Sequence, residues 1–497
     1  VKRPLPALAA AAAFALSVGA AAQSQLVQTA RPPLVQLSSD PFTNTGGAEH
    51  KTELEADTYA WGNTIVGAFQ TGRYPDGGSS DIGWATSSDG GTTWSYGFLP
   101  GLSQGQNQKN PYQRISDPAV AYDAAHGVWM ISSLPVTSGT APAVVISTSE
   151  DGINWNNPVS VASAPTGSDK NWNVCDNWPQ SPYFGNCYVE WDDGNNTIHM
   201  NLSSDGGATW GPTQSGGRGA VGLGGQPVVQ PSGKVIVPFS DGGSNVLTID
   251  SNDGGVTWSN AIKISAESDH AVSGMRAPSL PSAQIDGAGN VFVVWHDCSF
   301  RASCASNDIV LSTSADGVTW SPKARIPIDS TSSSVDHFTP GIGVDRNTSG
   351  SGAHLGVVYN FFPKAKCAPA TCLMHTAFIT SANGGATWSK PVVLTGAMQE
   401  PWMANAGGYF VGDYVATAFT PDGLAHSVFA LAKKPKKGVG GLDEAAYTTA
   451  AGLPVDTSGP QFSSRFERPI PGVHSDHPRM HYPPKKSASS KKVFERD

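Results

Sequence analysis

Residues 87–94 read Ser87-Ser88-Asp89-Gly90-Gly91-Thr92-Thr93-Trp94, and near-copies of this octapeptide recur five more times along the 497-residue chain. Aligned on their tryptophans the copies fall at Trp94, Trp155, Trp210, Trp258, Trp320 and Trp388, spaced by 61, 55, 48, 62 and 68 residues. Ahead of the boxes run β-rich segments such as NVFVVWHD with DIVLSTSADGVTW and KVIVPFSDGG with NVLTIDSNDGGVTW. A repeat of about 40 to 60 residues that carries several short strands is the mark of propeller blades. The fold expected is therefore all-β, a propeller of four-stranded antiparallel blades. Six boxed units and one unboxed unit after the sixth give seven blades, with six as the alternative if one unit is an insertion.

The octapeptide itself reads as a hairpin turn. An Asp carboxylate accepts backbone N–H groups of the turn, glycines supply positive φ at little steric cost, and the Trp offers an apolar face to a neighbouring blade. In the tryptophan alignment the acid is kept at Asp89, Asp205 and Asp253, and is replaced by Glu150, Ala315 and Asn383 in the other copies. A turn tolerates that decay and a catalytic carboxylate does not, so the box is expected to organise blades while the inner strands between the boxes carry function. The unboxed unit, GGYFVGDYVATAFTPDGLAHSVFALA, is expected to be completed by PLVQLSS at 33–39, which removes a free edge.

Composition agrees. Charged residues are sparse at 14% while the chain holds 56 Gly and 37 Pro, favouring short strands and many turns over amphipathic helices. Lys2 and Arg3, an Ala/Leu/Phe-rich run and Ala20-Ala21-Ala22 have the layout of a secretory signal peptide over residues 1–22. The expected division is this leader, a propeller over 23–432, and a largely disordered basic Pro/Lys/Ser-rich tail over 433–497. That tail holds twelve of the 31 Lys and Arg, so the body carries the acidic share of the net charge of −9, which argues against a nucleic-acid partner. No further apolar run is long enough to span a bilayer. Six cysteines form three close pairs, Cys175 with Cys187, Cys298 with Cys304 and Cys367 with Cys372, suited to local disulfides in an oxidising compartment, with zinc as the weaker reading. The protein is expected to be secreted, extracellular or periplasmic, and to work as a monomer.

The S-x-D-x-G-x-T-W repeat in such a chain resembles the Asp-box (BNR) repeat proteins of the sialidase superfamily over residues about 50–430. The resemblance implies a carboxylate-bearing sugar such as sialic acid held by three arginines, the first in an R-I-P motif, with a Tyr nucleophile paired to a Glu and an Asp acid/base in the first blade. Guanidinium forks bind a carboxylate bidentately, and a neutral Tyr attacks beside that carboxylate without like-charge repulsion. Arg73 and Asp76 match the arginine-plus-acid loop before the first box. Where R-I-P belongs the chain has Glu53, Leu54 and Glu55, and the nearest R-I-P-like stretches begin at Arg114 and Arg276. Arg73, Arg114 and Arg276 are thus the candidate carboxylate binders and Asp76 the acid/base. Tyr414 is either the nucleophile or a structural tyrosine, and Glu190 is either its acidic partner or an outer-strand residue.

Asp117, Asp169, Asp336, His337 and Asp413 stand at expected starts of inner strands. They either cap strand ends or converge on an acidic pocket suited to a glycan or to Ca²⁺, although no cofactor is required. The activity expected is that of an exo-acting glycosidase. A non-catalytic glycan-binding propeller, and a glycosidase or lyase of another substrate class centred on Asp336 and His337, are the alternatives. Three motifs are set aside. Gly101–Gly105 fits G-x-S-x-G without a strand before it, Gly217–Gly222 fits a dinucleotide pattern without a βαβ unit, and His474, His477 and His481 have metal-like spacing only in the tail.

Overall fold

Short runs of alternating small and β-branched residues, punctuated by glycine turns, form antiparallel strands throughout the computed structural model, which describes residues 31–43, 46–438, 440–463 and 467–477. The expected leader over 1–22 lies outside these residues, as does His481. Among the described residues the helical content is three short 3-10 turns.

The strands form successive antiparallel four-stranded units in chain order. The first holds Glu49–Trp61, Thr64–Arg73, Ser79–Ser87 and Ser95–Phe98, and the second Arg114–Asp123, Val128–Val136, Ala143–Ser149 and Val159–Ser163. A single pairing of Ser79 with Ile115 joins these two. The units that follow open with Ser168–Cys175, Val228–Val229, Ser282–Ile285 and Asp336–Val344, and the last with Ala416–Phe419. Each opening strand touches the opening strand of the next unit, and Ala416–Phe419 returns to touch Glu49–Trp61. Consecutive units are therefore neighbours in space, and the last lies against the first.

Apolar side chains fill the spaces between neighbouring sheets. Ile82, Val120, Ile131 and Trp155 lie between the first and second, and Leu37, Phe69, Val428 and Ala446 between the seventh and first. Full burial of each aliphatic side chain contributes about 1.5–3 kcal/mol. In the first six sheets the octapeptide is the turn between the third and fourth strands, and its tight glycines face the preceding sheet. A Cβ at Gly152 would press on Val66, at Gly207 on Met130, and at Gly317 on Ile236.

The geometry corrects the reading of two boxes. The acid is not lost where Glu150 and Ala315 align, because those boxes are one residue shorter. In the second, Asp151 accepts Ile153 N at 2.8 Å and Asn154 N at 2.7 Å. In the fifth, Asp316 accepts Val318 N at 2.8 Å and Thr319 N at 2.7 Å. The structural role stands on other grounds, since each box carboxylate is bound to its own turn.

The seventh sheet runs Leu34–Gln36, Glu444–Thr449, Leu424–Ala432, Ala416–Phe419. Leu34–Gln36 lies inside the segment expected to close the last unit and pairs antiparallel with 447–449. The boundary at 433 does not hold. Glu444–Thr449 is buried along its length, because the basic run Lys433–Lys437 is only the loop leading into a small-residue strand. Beyond it Phe462 bridges to Trp388, Glu467 pairs with Arg325 at 2.7 Å, and His477 meets Asp269 at 3.1 Å. The described part of the tail is thus bound to the body. All three expected disulfides are present and fit an extracellular protein. No helix among the described residues is long and apolar enough to cross a membrane.

Candidate functional site

Four opening strands share one local departure from regular pairing. Their registers slip between Leu54 and Asp57, Ser116 and Ala119, Asp169 and Asn171, and Phe338 and Gly341. At each slip stands a non-glycine residue with positive φ: Glu55 at 55°, Asp117 at 50°, Lys170 at 38° and Thr339 at 46°. A bulge re-aims a side chain out of the sheet's alternation, and left-handed backbone at such residues costs about 1–3 kcal/mol each. Three of these residues meet. Lys170 Nζ lies 3.3 Å from Glu55 Oε1, 3.1 Å from Asp117 Oδ2 and 2.6 Å from Asp413 Oδ2, and the lysine side chain is 4% exposed.

Over this floor lies a cleft of about 290 Å³ whose lining includes Arg73, Asp76, Asp117, Asp169 and Arg276. Arg73 ends the second strand of the first sheet, donating its backbone N–H to Thr52 Oγ1 at 2.8 Å and Nη1 to Gln70 Oε1 at 2.7 Å. Arg276 comes from the segment ahead of the fifth sheet and grips Asp413, with Nε donating to Oδ1 at 3.2 Å and Nη2 to Oδ2 at 2.5 Å. The two guanidinium centres lie 5.0 and 4.8 Å from the same Phe410 ring. Arg114 sits at the rim, stacked 3.8 Å above Tyr74 with Nη1 on Asp76 Oδ1 at 2.6 Å. Asp76 is 70% exposed in that pair, so the bridge orients the acid more than it stabilises the fold.

Burial lowers the Arg73 guanidinium from its usual value, with Glu55 opposing, and a guanidinium stays charged at any physiological pH. Burial alone would raise Asp413, but Arg276 and Lys170 outweigh it and hold this carboxyl below the ordinary range. Burial lifts Glu55 to about 7 despite the nearby Lys170. For Lys170 burial opposes the charge, and the carboxylates of Asp117, Asp413 and Glu55 more than compensate.

The remaining expected residues lie elsewhere. The Tyr414 hydroxyl donates to Pro118 O at 2.9 Å, and its ring meets Trp172 edge-on at 5.0 Å, below the cleft. Burial, with Glu55 and Asp117 adding to it, holds the phenol well above its usual value, the opposite of what a nucleophile needs. Glu190 is not its partner. It is buried against Gly225, burial lifting its carboxyl with the Gly225 N–H opposing. Asp336 accepts Asn307 N at 2.7 Å and lies 3.1 Å from His270 Nδ1. His337 Nδ1 lies 3.1 Å from Asn307 O. Both belong to the contact between the fifth and sixth sheets. Asp117 and Asp413, expected either to cap strand ends or to bind substrate in an acidic pocket suited to a glycan or to Ca²⁺, enclose the Lys170 ammonium instead, a donor set that does not fit Ca²⁺.

Sequence reading missed Lys170, Glu55 and Phe410. A signal was present at two of the four slips, because Asp117 and Thr339 each precede a proline, and the residue before proline is steered away from right-handed helical backbone.

No family model matches the chain, and no curated protein matches it. Among solved structures, the intramolecular trans-sialidase of Ruminococcus gnavus in complex with oseltamivir carboxylate is 14% identical with a TM-score of 0.39, covering 79% of this chain and 93% of its own. The NanB sialidase of Streptococcus pneumoniae is 12% identical with a TM-score of 0.41, covering 84% and 70%. A polysaccharide lyase, an ulvan lyase bound to -[GlcA(1-4)Rha3S]-, is 11% identical with a TM-score of 0.48, covering 85% and 96%.

Proposed function

We propose that the seven sheets are the blades of one Asp-box propeller and that its cleft binds a carboxylate-bearing sugar of an extracellular glycan for glycosidic cleavage. The observation that carries this reading is the placement of Arg73 and Arg276 against one Phe410 ring at the wall of a cleft that also holds Asp76, Asp117 and Asp169. Two guanidiniums backed by an aromatic ring suit a planar anion, and the neighbouring carboxylates suit hydroxyl recognition and acid/base work. Asp76, exposed and oriented by Arg114, is the proposed acid/base. Asp169 lines the same cleft and supplies the second carboxylate that sugar hydrolysis requires.

Binding without turnover is the second reading, favoured by the engagement of the Tyr414 hydroxyl with Pro118 O. Incubation with a fluorogenic sialoside, alongside titration with free N-acetylneuraminic acid and D-glucuronate, separates the two. Release of fluorophore supports hydrolysis. Saturable binding without release supports the binding reading, and neither release nor binding overturns the carboxylate assignment.

A further inference from the structure

We propose that Lys170 is a positioning residue that frees Arg276 for ligand by sharing the negative charge of Asp413. This inference rests on the reading that the cleft takes a carboxylate. Arg276 faces a conflict, since both N–H groups of its Nε/Nη2 edge are engaged by Asp413. Nη1 also donates to Ala406 O at 3.4 Å. While Asp413 holds this edge, a second carboxylate is left only the end-on Nη1/Nη2 edge, and a ligand that takes the Nε/Nη2 fork must displace Asp413. Releasing it would leave Asp413, whose side chain is fully buried, as an uncompensated interior anion, which is strongly unfavourable.

Lys170 removes that obstacle. Its ammonium is 2.6 Å from Asp413 Oδ2, the same oxygen that Arg276 Nη2 reaches at 2.5 Å. One carboxylate oxygen is thus held by an interior cation and by one whose side chain is 26% exposed at the cleft. When Arg276 turns toward a ligand carboxylate, Lys170 stays on Asp413, and the buried charge keeps a partner. Glu55 and Asp117 keep the ammonium itself compensated, Lys170 Nζ lying 3.3 and 3.1 Å from them. The lysine comes from the third sheet, the aspartate from the segment ahead of the seventh and the arginine from the segment ahead of the fifth, so residues far apart in the chain assemble the device.

The test is a cycle of K170M, D413N and K170M/D413N, read in two ways. The first is the affinity for N-acetylneuraminic acid and D-glucuronate. The second needs no ligand and follows the rate of Arg276 modification by phenylglyoxal in the intact protein, by peptide mass spectrometry. K170M is expected to weaken binding about 10-fold or more and to slow Arg276 modification to a similar extent, whereas in the D413N background the same lysine change is expected to alter neither. D413N alone is expected to accelerate modification, a result that stands even if K170M does not fold. Unchanged Arg276 reactivity in D413N, an unaltered K170M, or an equal lysine effect in both backgrounds overturns the proposal. If the wild-type protein binds neither sugar while the reactivity pattern holds, the carboxylate reading fails and the charge-sharing role of Lys170 survives.

Discussion

At the scale of single residues, carboxylates of one chemical type do opposite work according to their surroundings. Thr93, through its hydroxyl and its N–H, and Ser87 hold Asp89 at about 2, and the box acid spends its lone pairs inside its own exposed turn. Because that loss is local, Asp253→Ala is expected to lower the melting temperature by about 2–4 °C and to leave ligand binding unchanged, as checked by calorimetry beside titration. Arg276 behaves differently. Its removal takes a charged donor pair from the cleft, so Arg276→Ala is expected to weaken binding of a carboxylated sugar about 10- to 100-fold. Arg276→Lys should recover only part of this, since a point charge does not replace a fork. Equal affinity in wild type and Arg276→Ala would remove this residue from the site.

Among elements, the opening strands decide most. Where the sixth and seventh sheets meet, a Cβ at Gly341 would stand 1.9 Å from Val415 O and 2.6 Å from its carbonyl carbon. Backbone lies against backbone there and no rotamer can relieve the contact. Gly341→Ala is therefore expected to destabilise the protein by about 3 kcal/mol or more, read as a shift of the denaturation midpoint. Gly46→Ala, which meets nothing within 4 Å, serves as the neutral comparison. The bulges belong to the same scale. An ordinary strand alternates its side chains between two faces, and the slip at Asp169/Asn171 turns Lys170 toward the other sheets. The lysine was invisible as a site residue in the sequence for this reason, although its neighbour Asp169 was identified.

For the whole molecule, completion of the last sheet depends on chain far from the repeats. Truncation after residue 432 would delete Glu444–Thr449, on which Leu34–Gln36 pairs, and is expected to abolish cooperative unfolding, as followed by circular dichroism. Buried acids distributed over the sheets also set a pH dependence. Burial raises Glu53 from 4.5 to about 8, Asp57 from 3.8 to about 7 and Glu267 from 4.5 to about 8. A carboxyl raised on folding favours the folded state fully below its unfolded value and loses that contribution as pH climbs through its folded value. The melting temperature is therefore expected to fall between pH 5 and pH 9, and less steeply in Glu267→Gln. The box acids run the other way, since Asp89, Asp151 and Asp316 are held at about 2 and lose their contribution as pH drops from about 4 toward 2. A melting temperature that rises toward pH 9 would contradict the burial of the first group.

The sequence by itself determined what is local and repeated: the box turns, the strand-rich units between them, the three disulfides and the Leu34–Gln36 closing segment. Each follows from spacing and from residue chemistry that acts over a few positions. It also named Arg73, Asp76, Asp117, Asp169 and Arg276, which the structure brings to one cleft, because arginines and acids at strand starts are visible without knowing their partners. Only the tertiary structure decided that Tyr414 is sealed on Pro118, that Glu190, Asp336 and His337 belong elsewhere, and that Lys170 lies among the carboxylates. Those outcomes depend on which faces of different sheets meet at the centre, and a one-residue slip in pairing, which leaves no periodic trace in the sequence, moves a side chain from one face to the other.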